Sequence, residues 1–226
     1  MPIRLVFAAL LLTCSPALAA AGSKPWINGF VSGANYSMSR VNADIRGLNT
    51  SIASSGLKMD EITRGAGFGL AVASNVRGAF SFGVGYERLA ASTRASGASL
   101  ATEYTLPADL FRGLCRYSFA PVDRSGAFVE ASLGHVSTSG SFKATSGEFG
   151  LGGNVEGSGV ALELDAGGQL WTSPVMALSG SLGYRHAVVV KPTLGGETMR
   201  NADGSGYQID YTGAVVRAGV TLALWE

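Results

Sequence analysis

Cysteine is almost missing from this 226-residue chain, with only Cys14 and Cys115 present. Cys14 falls in a segment read below as a leader, so one thiol remains and no internal disulfide can form. A secreted chain of this size must then be held together by other means. Histidine is as scarce, with only His135 and His186, and no Cys/His cluster has the spacing of a metal centre. Lys and Arg number 17 against 16 Asp and Glu. That balance provides neither the basic surface that binds nucleic acid nor an acidic one for cationic partners. Past the leader no apolar run approaches the ~18–20 residues of a spanning helix, and helical periodicity is rare. Three Gly-x-Gly stretches, at Gly65–Gly67, Gly67–Gly69 and Gly83–Gly85, lie inside alternating segments and not at a strand-to-helix turn. They are therefore not phosphate loops, and no cofactor is implied.

What is present begins with the leader. Arg4 supplies a positive start, Leu5 to Leu12 an apolar run, and Ala17-Leu18-Ala19 a small-x-small cleavage pattern. Residues 1–19 read as a signal peptide and 20–226 as the mature domain. A lipoprotein acceptor at Cys14 is disfavoured, because Thr13 precedes it where a small Gly, Ala or Ser is usual. Glycine is abundant, at 32 residues, but without the period of collagen.

Period-2 alternation recurs along the mature chain and predicts eight strands. They cover about 26–39, two strands within 64–87, one within 104–119, then 127–137, 160–172, 175–188 and 207–225. Tight connections "SNVRG", "APVDRSG" and "TSP" alternate with long polar ones at about 40–61, 91–103, 138–157 and 191–206. Short turns at one end and long loops at the other describe an up-and-down meander, the layout of an outer-membrane barrel. The strands suit the ~9–11 residues of a tilted membrane strand. Their apolar residues, Phe30, Ala34, Tyr36 and Met38 in the first strand and Phe68, Leu70, Val72, Phe80, Phe82 and Val84 in the next two, alternate with glycine, serine and a few charges. A lipid-exposed sheet must pair every backbone group and so must close. The expected fold is an all-β, eight-stranded antiparallel transmembrane β-barrel.

With the apolar parity outward, Glu87, Glu130, Glu163, Asp165, Arg185 and Arg217 face the lumen. The strand within 104–119 is ambiguous. Leu106, Ala108 and Leu110 lie on one parity and Phe111, Cys115, Tyr117 and Phe119 on the other. A bulge between Pro107 and Leu110 reconciles them and turns Arg112 and Arg116 inward. These eight charges read as a salt-bridged plug or as an ion path. The plug is favoured, because an eight-stranded barrel is only just wide enough for its own side chains. Trp26, Tyr36, Tyr86, Tyr104, Tyr117, Trp171, Tyr184, Tyr207, Tyr211 and Trp225 fall near strand ends, where an aromatic girdle belongs.

Several segments resemble the outer-membrane β-barrel domain family, the small OmpA/OmpX/OmpW-like barrels of Gram-negative bacteria. "YTLPADLFRGLCRYSF" is similar to the family's proline before an apolar strand ending in an aromatic-x-Phe. "FVEASLG", "GVALELDAGGQLW" and "SGSLGYRH" resemble its fifth to seventh strands. "GAVVRAGVTLALWE" is similar to its C-terminal assembly signal, with Val216, Val220, Leu222 and Leu224 alternating. It departs from the pattern in placing Trp225 penultimate and out of phase, before Glu226. The resemblance implies residence in the cell outer membrane, contact with membrane lipid and lipopolysaccharide, and delivery by the barrel-assembly machinery through the last strand.

Outer-membrane barrels also include lipid A deacylases, a separate family with a His-x-Ser-Asn type signature. Here His135-Val136-Ser137-Thr138 keeps the His-x-Ser and lacks the Asn, so catalysis by a Ser/His pair is not favoured. The leading expectation is a non-enzymatic, monomeric envelope protein with four surface loops, no cofactor and no metal. A narrow channel or transporter for small solutes and an outer-leaflet lipid-modifying enzyme are the alternatives.

Overall fold

A computed structural model describes residues 24–77, 79–97, 100–120, 124–146, 149–201 and 203–224. The leader reading, Trp225, Glu226 and parts of two tight turns lie outside the described residues. The strands are β1 (Lys24–Asn35), β2 (Arg64–Arg77), β3 (Phe80–Ala90), β4 (Ser92–Ser96), β5 (Leu100–Thr105), β6 (Ala108–Ser118), β7 (Gly126–Ser146), β8 (Phe149–Trp171), β9 (Met176–Leu194), β10 (Glu197–Thr198), β11 (Gln208–Asp210) and β12 (Gly213–Ala223). One α-helix, α1 (Ser39–Ile52), continues into a 3-10 turn at Ala53–Ser55. No helix among the described residues is long and apolar enough to cross a membrane.

All ladders are antiparallel. Followed by hydrogen bonding, they run β1, β2, β3, β6, β7, β8, β9, β12, and β12 pairs with β1. The described residues form twelve strands where eight were expected. Eight of them make this circuit, and β4, β5, β10 and β11 extend it at the long-loop end. The β7–β8 hairpin is built from strands of 21 and 23 residues, about twice the ~9–11 residues that cross a bilayer. Residues 138–146 and 149–157 of the connection read as a loop are therefore the outer halves of these two strands. Likewise, β4 pairs with β5, and β5 joins β7 through Leu100–Thr105 opposite Ser141–Ser146.

Outward residues of every circuit strand make an apolar belt. It includes Val31, Phe68, Phe82, Tyr117, Leu133, Leu164, Leu182 and Val220, with Val31, Phe68 and Leu164 exposed by 63%, 61% and 64%. The expected outward positions Leu70, Phe80, Val216, Leu222 and Leu224 are exposed as well.

Three expectations are corrected by what fills the lumen, above all at its long-loop end. A cluster of buried apolar side chains sits there, including Tyr36, Met38, Ile45, Leu89, Leu106, Leu110, Val136 and Tyr211. The expected bulge near Pro107 does not occur, because β6 keeps one register against β3 from Ala108 to Tyr117 and against β7 from Ala108 to Ser118. Ala108 and Leu110 share the inward face with Arg112 and Arg116 because the lumen is apolar at that height and charged below it. In the first predicted strand, 26–39, the apolar set Phe30, Tyr36 and Met38 is buried and Val31 is exposed, the reverse of the outward assignment. Trp26, Tyr36, Tyr207 and Tyr211 are buried inside and do not belong to a girdle. Of the other aromatics, Tyr117 and Tyr184 stand exposed on the wall.

The first long connection contains α1, not a polar loop. Val41, Ile45, Leu48 and Ile52 recur at helical spacing, and Val41, Ile45 and Ile52 are buried. The helix starts without a side-chain cap, at Met38 in the left-handed region (φ 43°). Met38 N–H donates instead to Asp210 O at 3.0 Å, which ties the helix start to β11. Two asparagines clamp the returning chain. Asn42 Nδ2 donates to Ile62 O (3.1 Å) while Ile62 N–H donates to Asn42 Oδ1 (2.8 Å). Asn49 does the same with Met59, at 2.9 and 2.7 Å. Tyr207 hydroxyl donates to Asp44. The helix therefore caps one end of the lumen as a packed, stitched lid.

Candidate functional site: the interior charge network

Strand register decides which charges meet. Arg116 stands directly opposite Glu130 across β6–β7, and Glu163 opposite Arg185 across β8–β9. Glu130 also stands opposite Asp165 across β7–β8, a like-charge pairing that is unfavourable unless each acid finds a cation. The structure supplies one to each. Arg116 Nη2 lies 2.7 Å from Glu130 Oε2, and Arg217 Nη1 lies 2.9 Å from Asp165 Oδ1.

All eight residues expected in the lumen are buried, and six are joined in one network. Glu87 Oε2 receives Arg185 Nη2 at 2.7 Å and Arg217 Nη2 at 2.6 Å. Glu163 receives Arg185 Nε at 2.7 Å, Arg217 Nη1 at 2.6 Å, and Arg112. Glu87, Glu163 and Asp165 against Arg112, Arg185 and Arg217 make three charges of each sign. A buried set of ions is tolerated when it is internally neutral and hydrogen bonded. Arginine suits the task because its planar fork can serve several carboxylates at once. Arg116 and Glu130 form a separate pair nearer the tight-turn end, with Arg116 Nε also donating to Glu130 Oε2 at 2.9 Å.

Small residues make room for these long side chains. A methyl group built on Gly85 would stand 3.2 Å from Arg112 Nε and 3.4 Å from its Cγ. One built on Gly183 would fall on the Asp165 carboxylate. The glycine alternation thus places clearance under the charges.

Sequence reasoning missed the aromatic and polar supports. Phe30 lies beneath Arg112 and Arg217, with centroid distances of 5.8 and 5.2 Å. Arg116 is sandwiched between Trp26 (4.4 Å) and Phe128 (4.0 Å), contacts that gain strength when desolvated. Ser32 hydroxyl donates to Glu87 Oε1 at 2.7 Å. Asn28 Nδ2 donates to Ser179 Oγ and Thr221 Oγ1 at 2.8 and 2.9 Å. The parity of Trp26, Asn28, Phe30 and Ser32 was the signal for their shared face.

Outside the strands that cross the belt, the lid has its own electrostatics. Burial first, and then the hydrogen bond to Asp44, push the Tyr207 hydroxyl well above its ordinary value. Burial and then the Asp44 charge push Tyr104 up to about 12.

The two histidines sit elsewhere. His135 is exposed on the outer wall, opposite Phe111 and Val160, with Ser137 on the same face. His186 is also exposed, with Nδ1 3.2 Å from Thr212 Oγ1.

No protein-family model matches the chain, and no curated protein matches it. Solved structures similar to it include a bacterial surface protein and two outer membrane proteins. Neisserial surface protein A shares 12% identity and a TM-score of 0.47, covering 89% of this chain and 98% of that one. Outer membrane protein OprG from Pseudomonas aeruginosa shares 12% identity and a TM-score of 0.44, covering 91% and 97%. A major outer membrane protein from Thermus thermophilus shares 13% identity and a TM-score of 0.45, covering 90% and 100%.

Proposed function

We propose that this protein is a non-enzymatic, eight-stranded barrel of the cell outer membrane whose sealed interior holds a rigid platform for its outer hairpins. The observation that carries the reading is the filled lumen inside an apolar belt. The belt suits lipid on all sides, and a sheet in lipid must pair its backbone throughout. A neutral network of three acids and three arginines occupies the middle. The α1 lid and its apolar cluster close one end. Trp26, Ala71, Ala73 and Leu114 pack the other. A hydrated solute has no room to pass such layers without displacing them.

What the platform carries is the long β7–β8 hairpin, the β4–β5 hairpin and the segments flanking β10. These are the surfaces for envelope integrity or surface interaction, and lipopolysaccharide surrounds their base. The exposed His135 and His186 lie on the lipid side of the wall and read as interfacial side chains, not as a catalytic pair. Planar-bilayer recording tests the sealed lumen. The expected record has no reproducible single-channel steps, and steps would defeat the proposal in favour of a channel. Mass spectrometry of lipid A with and without the protein tests the absence of catalysis, and a changed profile would overturn that part.

A further inference from the structure

Three buried polar atoms in the lumen have no hydrogen-bond partner among the described residues and belong to residues that share one cavity. They are Arg112 Nε, Arg217 Nε and Asp165 Oδ2. All three residues are more than nine-tenths buried. Each lines a cavity of about 20 Å³ that lies between the six-residue network and the Arg116–Glu130 pair. A site of that size, above the ~10–15 Å³ needed, admits one water molecule. It is too small for any organic solute.

We infer that this cavity is a binding site for one resident water, held by Arg112, Arg217 and Asp165. The donor and acceptor count fits water and little else. Two guanidinium N–H groups lack acceptors, and water accepts two hydrogen bonds. One carboxylate oxygen lacks a donor, and water donates two. The second hydrogen faces a wall that includes Glu130, Ser179 and Ser181, all able to accept. A monatomic anion would satisfy the two arginines and leave Asp165 Oδ2 facing a like charge. A metal cation would meet Asp165 and oppose both guanidinium groups. An empty void would leave three buried polar groups unsatisfied, each at a desolvation cost. The water belongs to the fold: it completes the network in the sealed lumen proposed above. The reading of the cavity does not depend on what the outer hairpins bind.

The test uses the full protein refolded in detergent micelles. Magnetisation exchange between water and the arginine Nε–H protons is recorded by NMR. Cross-peaks from a long-lived water to both Arg112 and Arg217 Nε–H are expected. Their absence from both resonances, once these are assigned, overturns the inference. Crystals soaked in bromide separate water from an anion, and an anomalous peak in this cavity overturns water as the ligand. In Ala71→Val the added methyl groups enter the cavity wall. The cross-peaks should vanish and the unfolding midpoint should fall, whereas a midpoint that rises would identify a dry void. If that variant does not fold, the exchange measurement on the unaltered protein still decides. Failure of the sealed-lumen reading would show as conductance, which this experiment does not report.

Discussion

Arg217 is the arginine of the network with the most carboxylate partners, and its removal is the sharpest test of the electrostatic reasoning. Its guanidinium reaches Glu87 at 2.6 Å, Glu163 at 2.6 Å and Asp165 at 2.9 Å. Arg217→Met keeps much of the side chain's length and deletes the charge. The network then holds three carboxylates against Arg112 and Arg185, and one negative charge is buried without compensation. Glu87 keeps Arg185, and Glu163 keeps Arg185 and Arg112. Asp165 keeps no ion pair among the described residues, since the one it makes there is with Arg217. Breaking a buried pair by removing one partner costs about 3–5 kcal/mol, mostly the burden of the stranded charge. The three contacts do not add, because one side chain makes them all. The argument has a second arm. Asp165→Asn in the Arg217→Met background leaves two acids and two arginines, again neutral. The double variant should recover about 2–3 kcal/mol of the loss, the size expected for a strongly coupled pair. Urea unfolding in detergent, followed by far-ultraviolet circular dichroism and heat-modifiable gel mobility, measures both variants. A single variant as stable as the parent, or single and double variants that lose the same amount, would refute the account.

Other expected outcomes rest on separate features. Tyr211→Phe should cost about 1–2 kcal/mol, because the hydroxyl donates to Leu106 O and pairs with Thr138 Oγ1, each at 3.0 Å. Tyr36→Phe in the same cluster should be neutral or slightly stabilising, because its hydroxyl has no partner among the described residues; a loss equal to that of Tyr211→Phe would contradict this. Leu164→Arg puts a charge on the apolar outer face of β8 and should cost about 2–4 kcal/mol when folding is measured in liposomes, with an unchanged yield arguing against the belt. Tyr104, pushed up to about 12, and Tyr207 stay protonated in the folded lid while an unfolded tyrosine ionises near pH ~10. Their contribution to stability is therefore complete below pH ~10 and declines as pH rises from there towards 12. Ultraviolet difference titration should find these phenols un-ionised at pH 11 until urea unfolds the chain.

Most of the wall was legible in the sequence, because a sheet between lipid and lumen enforces period 2 on both faces. Phe68, Leu70, Phe80 and Phe82 read outward and lie outward. The eight charges fell on the opposite parity because they were spaced evenly with one another, and parity survives errors in strand ends. Errors came where one assumption, a polar lumen throughout, met residues that obey another rule. Ala108, Leu110, Tyr36 and Met38 are apolar and inward because they pack beneath the lid. Read as lipid-facing, they forced a bulge into β6 and reversed β1. The lid itself was visible at Val41, Ile45, Leu48 and Ile52, but the polar residues between them resemble those of a loop. Nothing short of the pairing could reveal the partners within the network, since Glu87 and Arg217 are 130 residues apart in sequence.

The order of the lumen explains why its charges can be so deeply buried. An ion network is costly to desolvate, and it holds only while water is kept from competing for each fork. The apolar cluster beneath α1 excludes water from the long-loop end, and the Trp26–Arg116–Phe128 stack narrows the other. Each layer therefore protects the next. The lid buries Leu89 and Leu110 just beyond Glu87 and Arg112 on β3 and β6, so loosening the lid should wet the network before it breaks a single ion pair. Ile45→Ala makes that order measurable. A cavity under α1 should cost about 2–4 kcal/mol. It should also speed proton exchange at the Arg185 and Arg217 Nε–H groups, although neither residue is altered. If the lid loosens and those protons stay as protected as before, the layers act independently, and the network needs no cap to survive.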